Sequence, residues 1–162
     1  KTLRFINRGH DYKTFLDAVS LTRSKGIFVG AHLIVGFPTE TIEEMLNMAD
    51  EISGLHLDFL KIHQLQIVKD TLLSEMYKEN PFHTFGYEEY LDFIVDFIER
   101  LSPDIVLQRL FATAPDDILI APRWDRSRHQ ITRDIQQRFI QRDTFQGKKY
   151  KGQGVTAPLS AL

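Results

Sequence analysis

Cysteine is missing altogether from the 162 residues. The chain by itself can therefore build no disulfide, thiolate nucleophile or cysteine-ligated iron–sulfur centre. No apolar run approaches the roughly 20 residues that cross a bilayer. The opening Lys1-Thr2-Leu3-Arg4 leads into no secretory apolar core, so a cytoplasmic protein with no membrane partner is expected. Charge of one sign is also lacking. The 20 Lys and Arg stand against 22 Asp and Glu, a net charge of -2, and no global field draws the chain to nucleic acid or anionic lipid. The first residue is Lys1 rather than methionine, and the chain is expected to be a piece of a longer polypeptide. A hydrophobic content of 43% with 26% charged residues suits a folded globular domain.

The richest stretch is Gly26-Ile27-Phe28-Val29-Gly30-Ala31-His32-Leu33-Ile34-Val35-Gly36-Phe37-Pro38-Thr39-Glu40-Thr41. Ile27, Val29, Ala31, Leu33 and Val35 form one apolar parity, whereas Phe28, Gly30, His32, Ile34 and Gly36 mix small, polar and apolar groups. Strand side chains alternate between faces. The pattern predicts a strand over 27–35 covered by helices on one side and half-polar on the other. A parallel barrel or open α/β sheet turns such a face toward a ligand cavity, and the site is expected beyond Val35, at the strand's carboxyl end.

A helix is predicted over 11–25, stopped at Gly26. Thr41-Ile42-Glu43-Glu44 is a capping box opening a helix that runs to Gly54. A second strand is predicted over 58–67, with Leu60 and Ile62 on one face and Lys61 and His63 on the other. Helices follow over 70–79 and 86–101, the latter with an apolar stripe of Tyr87, Tyr90, Leu91, Ile94, Phe97 and Leu101. A third strand is expected over 104–111, a proline-punctuated loop over 114–124 and a last helix over 127–141. The Gly- and Lys-rich residues from Gln146 onward read as a flexible tail. The expected organisation is residues 1–112 as half of a barrel, 113–145 as a loop and helix extension, and 146–162 as tail. Three strands are too few where about 8 close a barrel, so the chain reads as the second half of a larger one. Its open strand edges predict self-association.

His32, His63 and Lys61 share the half-polar face and are the candidate catalytic groups, since imidazoles there could move or share protons. Lining a substrate cavity and filling an interior as hydrogen-bonded partners fit them equally. With no Asp or Glu on that face they do not read as a metal site. Gly36 permits a flat ligand to approach the backbone and Ile34 offers an apolar surface, although an ordinary βα turn also explains both. On that view Gly36→Val would weaken ligand binding and leave the fold intact. Arg8 and His10, in the loop before an N-cap at Asp11, and Arg109, late in the third strand, are expected on the substrate rim, with Arg123 and Trp124 as a possible anion-binding or aromatic wall. The last helix carries Arg126, Arg128, Arg133, Arg138 and Arg142 beside Asp125, Asp134 and Asp143. It reads as a solvated helix ahead of an RNA-contacting one.

Leu3-Arg4-Phe5-Ile6-Asn7-Arg8-Gly9-His10-Asp11, His32-Leu33-Ile34-Val35-Gly36-Phe37-Pro38-Thr39-Glu40-Thr41, Lys61-Ile62-His63 and Ala121-Pro122-Arg123-Trp124 together resemble the second half of a radical S-adenosylmethionine (SAM) protein of the YhcC-type subgroup. The resemblance implies an α/β fold, the second half of a partial (β/α)6 TIM-like barrel with a C-terminal helical extension. It also implies SAM and a 4Fe-4S cluster as cofactors of the full-length protein, an oxidoreductase whose cluster ligands are absent from this chain. In the family's fifth-strand motif, Gly-x-Ile-x-Gly-x-x-Glu, Ile34 and Gly36 match, while His32 replaces the first Gly and Thr39 the Glu. Ile34, Gly36, Leu65 and Gln66 are thereby expected at the adenine. A fragment of this kind would be inactive alone, with the missing amino-terminal half as its partner. Two other functions remain open: a stand-alone binding or assembly module, and half of a hydrolase or isomerase barrel using His32, His63 and Lys61.

Overall fold

The computed structural model of the chain describes residues 1–152. Its centre is a three-stranded sheet in the order β1-β2-β4, built from β1 (Gly30–Val35), β2 (Phe59–Gln64) and β4 (Val106–Arg109). All its pairings are parallel. The helices α3 (Ile42–Gly54) and α5 (Tyr87–Arg100) lie between these strands in the chain, as parallel neighbours require. The architecture is α/β, with a parallel sheet and alternating helices.

The β1 parity decides what packs where. Val35, Leu60 and Ile62 are fully buried in one core with the inner faces of α3 and α5, and Ala31 and Leu33 pack against it. The opposite parity faces away from these helices. Thr41 accepts from the Glu44 amide while the Glu44 carboxylate accepts from the Thr41 amide, so the expected capping box starts α3. The stripe along α5 is the best buried surface of the chain: Tyr90, Ile94, Val95 and Phe97 are wholly inaccessible. α6 (Arg128–Gln141) packs across α5, burying Ile131 and Ile135.

The strands are shorter than expected. Ile27 and Phe28 lie outside β1 and are exposed. The second predicted strand breaks at Leu65-Gln66, and its end forms β3 (Ile67–Val68), which pairs antiparallel with β5 (Leu119–Ala121) in a separate small sheet. That pair, with Phe37 and Leu65, makes a second cluster on which Phe5 and Ile6 rest, beside α1 (Thr2–Phe5). α2 (Tyr12–Arg23) is capped by Asp11, whose carboxylate accepts from the Thr14 amide; α4 (Leu72–Glu79) is capped by Thr71.

The start of the predicted tail is docked. Gln146 Nε2 donates to the carbonyls of Ser102 and Ile105, both at 2.8 Å, and the Lys149 amide donates to the Glu99 carbonyl at 2.7 Å. The carbonyls after α5 have no partners of their own in a helix ladder, and this segment supplies them. Residues 153–162 of the predicted tail lie outside the described residues.

Candidate functional site

The open face of the sheet carries its chemistry in rows set by register. Gly30 pairs with Phe59 and Phe59 with Val106, giving a lower apolar row. Above it His32 pairs with Lys61 and Lys61 with Arg109. Higher still Ile34 pairs with His63. His32 and His63 are thus staggered by one row rather than level, with ring centroids 5.8 Å apart. Arg109 reaches its place through a bulge: Leu60 pairs with Leu107, but the next partner, of Lys61, is Arg109, so Gln108 is skipped. A regular ladder would have set Gln108 beside Lys61. Arg109 Nη1 lies 3.5 Å from His63 Nε2. Burial, then the charges of Arg109, His32 and Lys61, hold the His63 pKa below its ordinary value, so this imidazole favours its neutral form.

Arg8 Nε donates to His10 Nε2 at 3.2 Å. Both line a cavity of about 670 Å³ together with His32, Ile34 and Glu40. Ala31 and Leu33, of the other parity, line it as well. A space touching both parities of one strand opens along that strand's edge, and among the described residues β1 is strand-paired only on its β2 side. The cavity therefore runs beside an unpaired parallel edge.

Ile34 stands at the carboxyl end of β1 and remains 40% exposed, an apolar platform open to a ligand. Gly36 differs from the expectation. Its φ is +97°, and an added Cβ would fall 3.0 Å from Phe85 Cδ2. The glycine is required by the turn and by packing against Phe85, so Gly36→Val would disturb the fold. Leu65 is buried in the second cluster, and its amide donates to the Val35 carbonyl at 2.7 Å. The Gln66 amide points to the Ala112 carbonyl at 3.4 Å.

Arg123 and Trp124 do not form an anion-binding or aromatic wall. Arg123 Nη2 donates to the carbonyls of Asp116, at 3.0 Å, and Leu119. The Trp124 indole donates to the Phe85 carbonyl at 2.9 Å and its ring lies 4.9 Å from that of Tyr90. On α6, Arg138 pairs with Glu88 and Asp92 and Arg142 with Asp96, so these cations hold α6 to α5.

Sequence reasoning passed over Glu40 and Gln64. Glu40 lines the edge cavity and a second one of about 440 Å³ bounded by Gly36 and Phe85. Its Oε2 is buried with no hydrogen-bond partner, and burial raises its pKa; its position directly before the Thr41 cap was the available signal. Gln64, at the end of β2, exchanges two hydrogen bonds with the Ala112 backbone at 2.8 and 2.9 Å. It latches the loop after β4. Among the described residues no group of three or more His, Asp or Glu is placed to hold a metal ion.

The Radical SAM C-terminal domain model matches residues 57–141, just over half of the chain. The chain belongs to this family. It is 35% identical to the uncharacterised protein MJ0486 of Methanocaldococcus jannaschii, over 93% of the chain and 47% of that protein. It is 32% identical to protein YhcC of Escherichia coli, over 79% of the chain and 41% of that protein. Among solved structures, an Elp3 of Methanocaldococcus infernus lacking its N-terminus superposes with a TM-score of 0.79 at 22% identity, over 89% of this chain and 34% of that one. That likeness shows the fold. This radical SAM family chain spans less than half the length of these relatives. No helix among its described residues is long and apolar enough to cross a membrane.

Proposed function

We propose that this chain is the carboxyl-terminal portion of a cytoplasmic radical SAM enzyme, the second half of its partial (β/α)6 barrel. The carrying observation is a parallel sheet that stops at β1 with a free edge and turns a polar, uncovered face away from its helices. Further barrel strands would close over that edge and make the face an interior wall.

For SAM the residues present fit in one respect: Ile34 is an exposed apolar side chain at a strand's carboxyl end, suited to one face of an adenine. The backbones of Gly36, Leu65 and Gln66 would border it. When bound, SAM with a reduced 4Fe-4S cluster supplies radical chemistry. The cluster does not fit this chain, which has no thiolate, and its ligands would come from the longer protein. His32, Lys61, His63 and Arg109 would face the substrate below the adenine, with His63 held neutral and able to accept a proton.

The test is the longer polypeptide. Its upstream coding sequence should encode a loop of three closely spaced cysteines. After anaerobic reconstitution the whole protein should bind iron and sulfide and cleave SAM, whereas this chain alone should do neither. An upstream sequence without that loop, or a stoichiometric cluster on this chain, overturns the proposal.

A further inference from the structure

We infer that the row His32, Lys61 and Arg109, with His63 above it, is a phosphate-binding site that holds a phosphorylated substrate. This rests on the open face being the substrate wall of the proposed enzyme. Lys61 and Arg109 are register neighbours, and like charges side by side in a ladder repel. Among the described residues no carboxylate pairs with either: the Arg109 side chain reaches only His63, and the Lys61 side chain has no hydrogen-bond or ion-pair partner. By contrast, Arg138, Arg142 and Lys149 all have carboxylate partners. The fold even departs from a regular ladder to create the juxtaposition, since the bulge replaces uncharged Gln108 with Arg109.

Two cations without counter-charge match a dianion. Adjacent strands lie about 4.8 Å apart, so the three members of the row span roughly 10 Å, enough for one phosphate to meet donors from each strand. Arg109 offers a planar fork and Lys61 a compact ammonium, the two side-chain types that hold phosphate. The imidazoles of His32 and His63 add donors when protonated. A carboxylate would neutralise only one of the two cations. Below the row Phe59 and Val106 are apolar, so the rest of the substrate lies upward, past Ile34.

The test uses this chain, with the imidazole signals of His32 and His63 followed by NMR against pH. Inorganic phosphate should raise both pKa values saturably, because a bound anion favours the imidazolium, and acetate should do so less. Lys61→Met and Arg109→Gln should each weaken the phosphate response about tenfold, with unchanged amide spectra. Arg126→Gln, a cation whose guanidinium lies over the Tyr87 ring instead, should leave it as in the parent. A phosphate monoester responding at lower concentration than a short single-stranded oligonucleotide assigns the phosphate to a small substrate, and the reverse order to a nucleic-acid backbone. Imidazoles that ignore phosphate, respond equally to acetate, or respond unchanged in both row variants overturn the site. That failure is distinct from failure of the radical SAM proposal, which is decided by the upstream cysteines.

Discussion

Gly36 lies against the ring of Phe85, so close that a Cβ on Gly36 would stand 3.0 and 3.1 Å from its Cδ2 and Cε2. Phe85 is itself buried and packs on Phe93, with ring centroids 4.9 Å apart. It cannot give way without moving the core. Gly36→Ala also meets a φ of +97°, which alone costs an L-residue about 1–2 kcal/mol. The variant should be destabilised by about 2–4 kcal/mol, clash included, read by urea unfolding. Wild-type stability would show that the turn relaxes freely.

Removing everything after Phe145 should also destabilise the chain. It deletes the two Gln146 hydrogen bonds, the Gly147 and Lys149 backbone bonds to Ile98 and Glu99, and the Lys149 ion pair with Glu99. At about 1 kcal/mol per bond the loss should be roughly 3–4 kcal/mol in thermal or urea unfolding. Glu99 adds a pH signature. Burial raises its pKa, but Lys149 and Thr144 hydrogen bonds and the Lys149 and Arg142 charges outweigh this and hold it below the ordinary value. A depressed carboxylate contributes stability above its unfolded pKa that is lost as pH falls through the folded one. The truncated chain should therefore lose less stability below about pH 4.5 than the intact chain. Equal acid sensitivity would remove the Lys149 contact from the account.

His63 predicts a dependence of the same sign in a higher pH window. Its folded pKa lies below 6.5, so the unfolded chain binds more protons in that window, and stability should fall as pH drops from 6.5 toward the folded value. His63→Gln should flatten this segment of the stability curve. A slope that survives the substitution would locate the titration elsewhere.

The free edge of β1 should make the chain associate. Unpaired N–H and C=O groups along Gly30–Val35 are a template for another strand. Light scattering should show mass rising with concentration, and a proline at His32 or Ile34, whose amides lie on the edge side because the Val29 and Val35 carbonyls accept from Phe59 and Leu65 of the β2 side, should change it if the edge mediates contact. A strictly monomeric chain would mean that the edge is covered in solution.

Local order was legible because it depends on neighbours a few residues away. The Thr41–Glu44 box, the Asp11 cap, the buried stripe of α5 and the two parities of β1 all follow from spacings of two to four residues. So did the placing of His32, Lys61 and His63 on one face. What the sequence could not carry was pairing at a distance. The skipped Gln108 that brings Arg109 to Lys61, the antiparallel union of β3 with β5, and the docking of Gln146 onto Ser102 and Ile105 each join segments dozens of residues apart. No local pattern distinguishes such partners. Gly36 shows the limit most plainly: its glycine was visible, but that Phe85 presses on it was settled only when the segment leading into α5 came to lie against the end of β1.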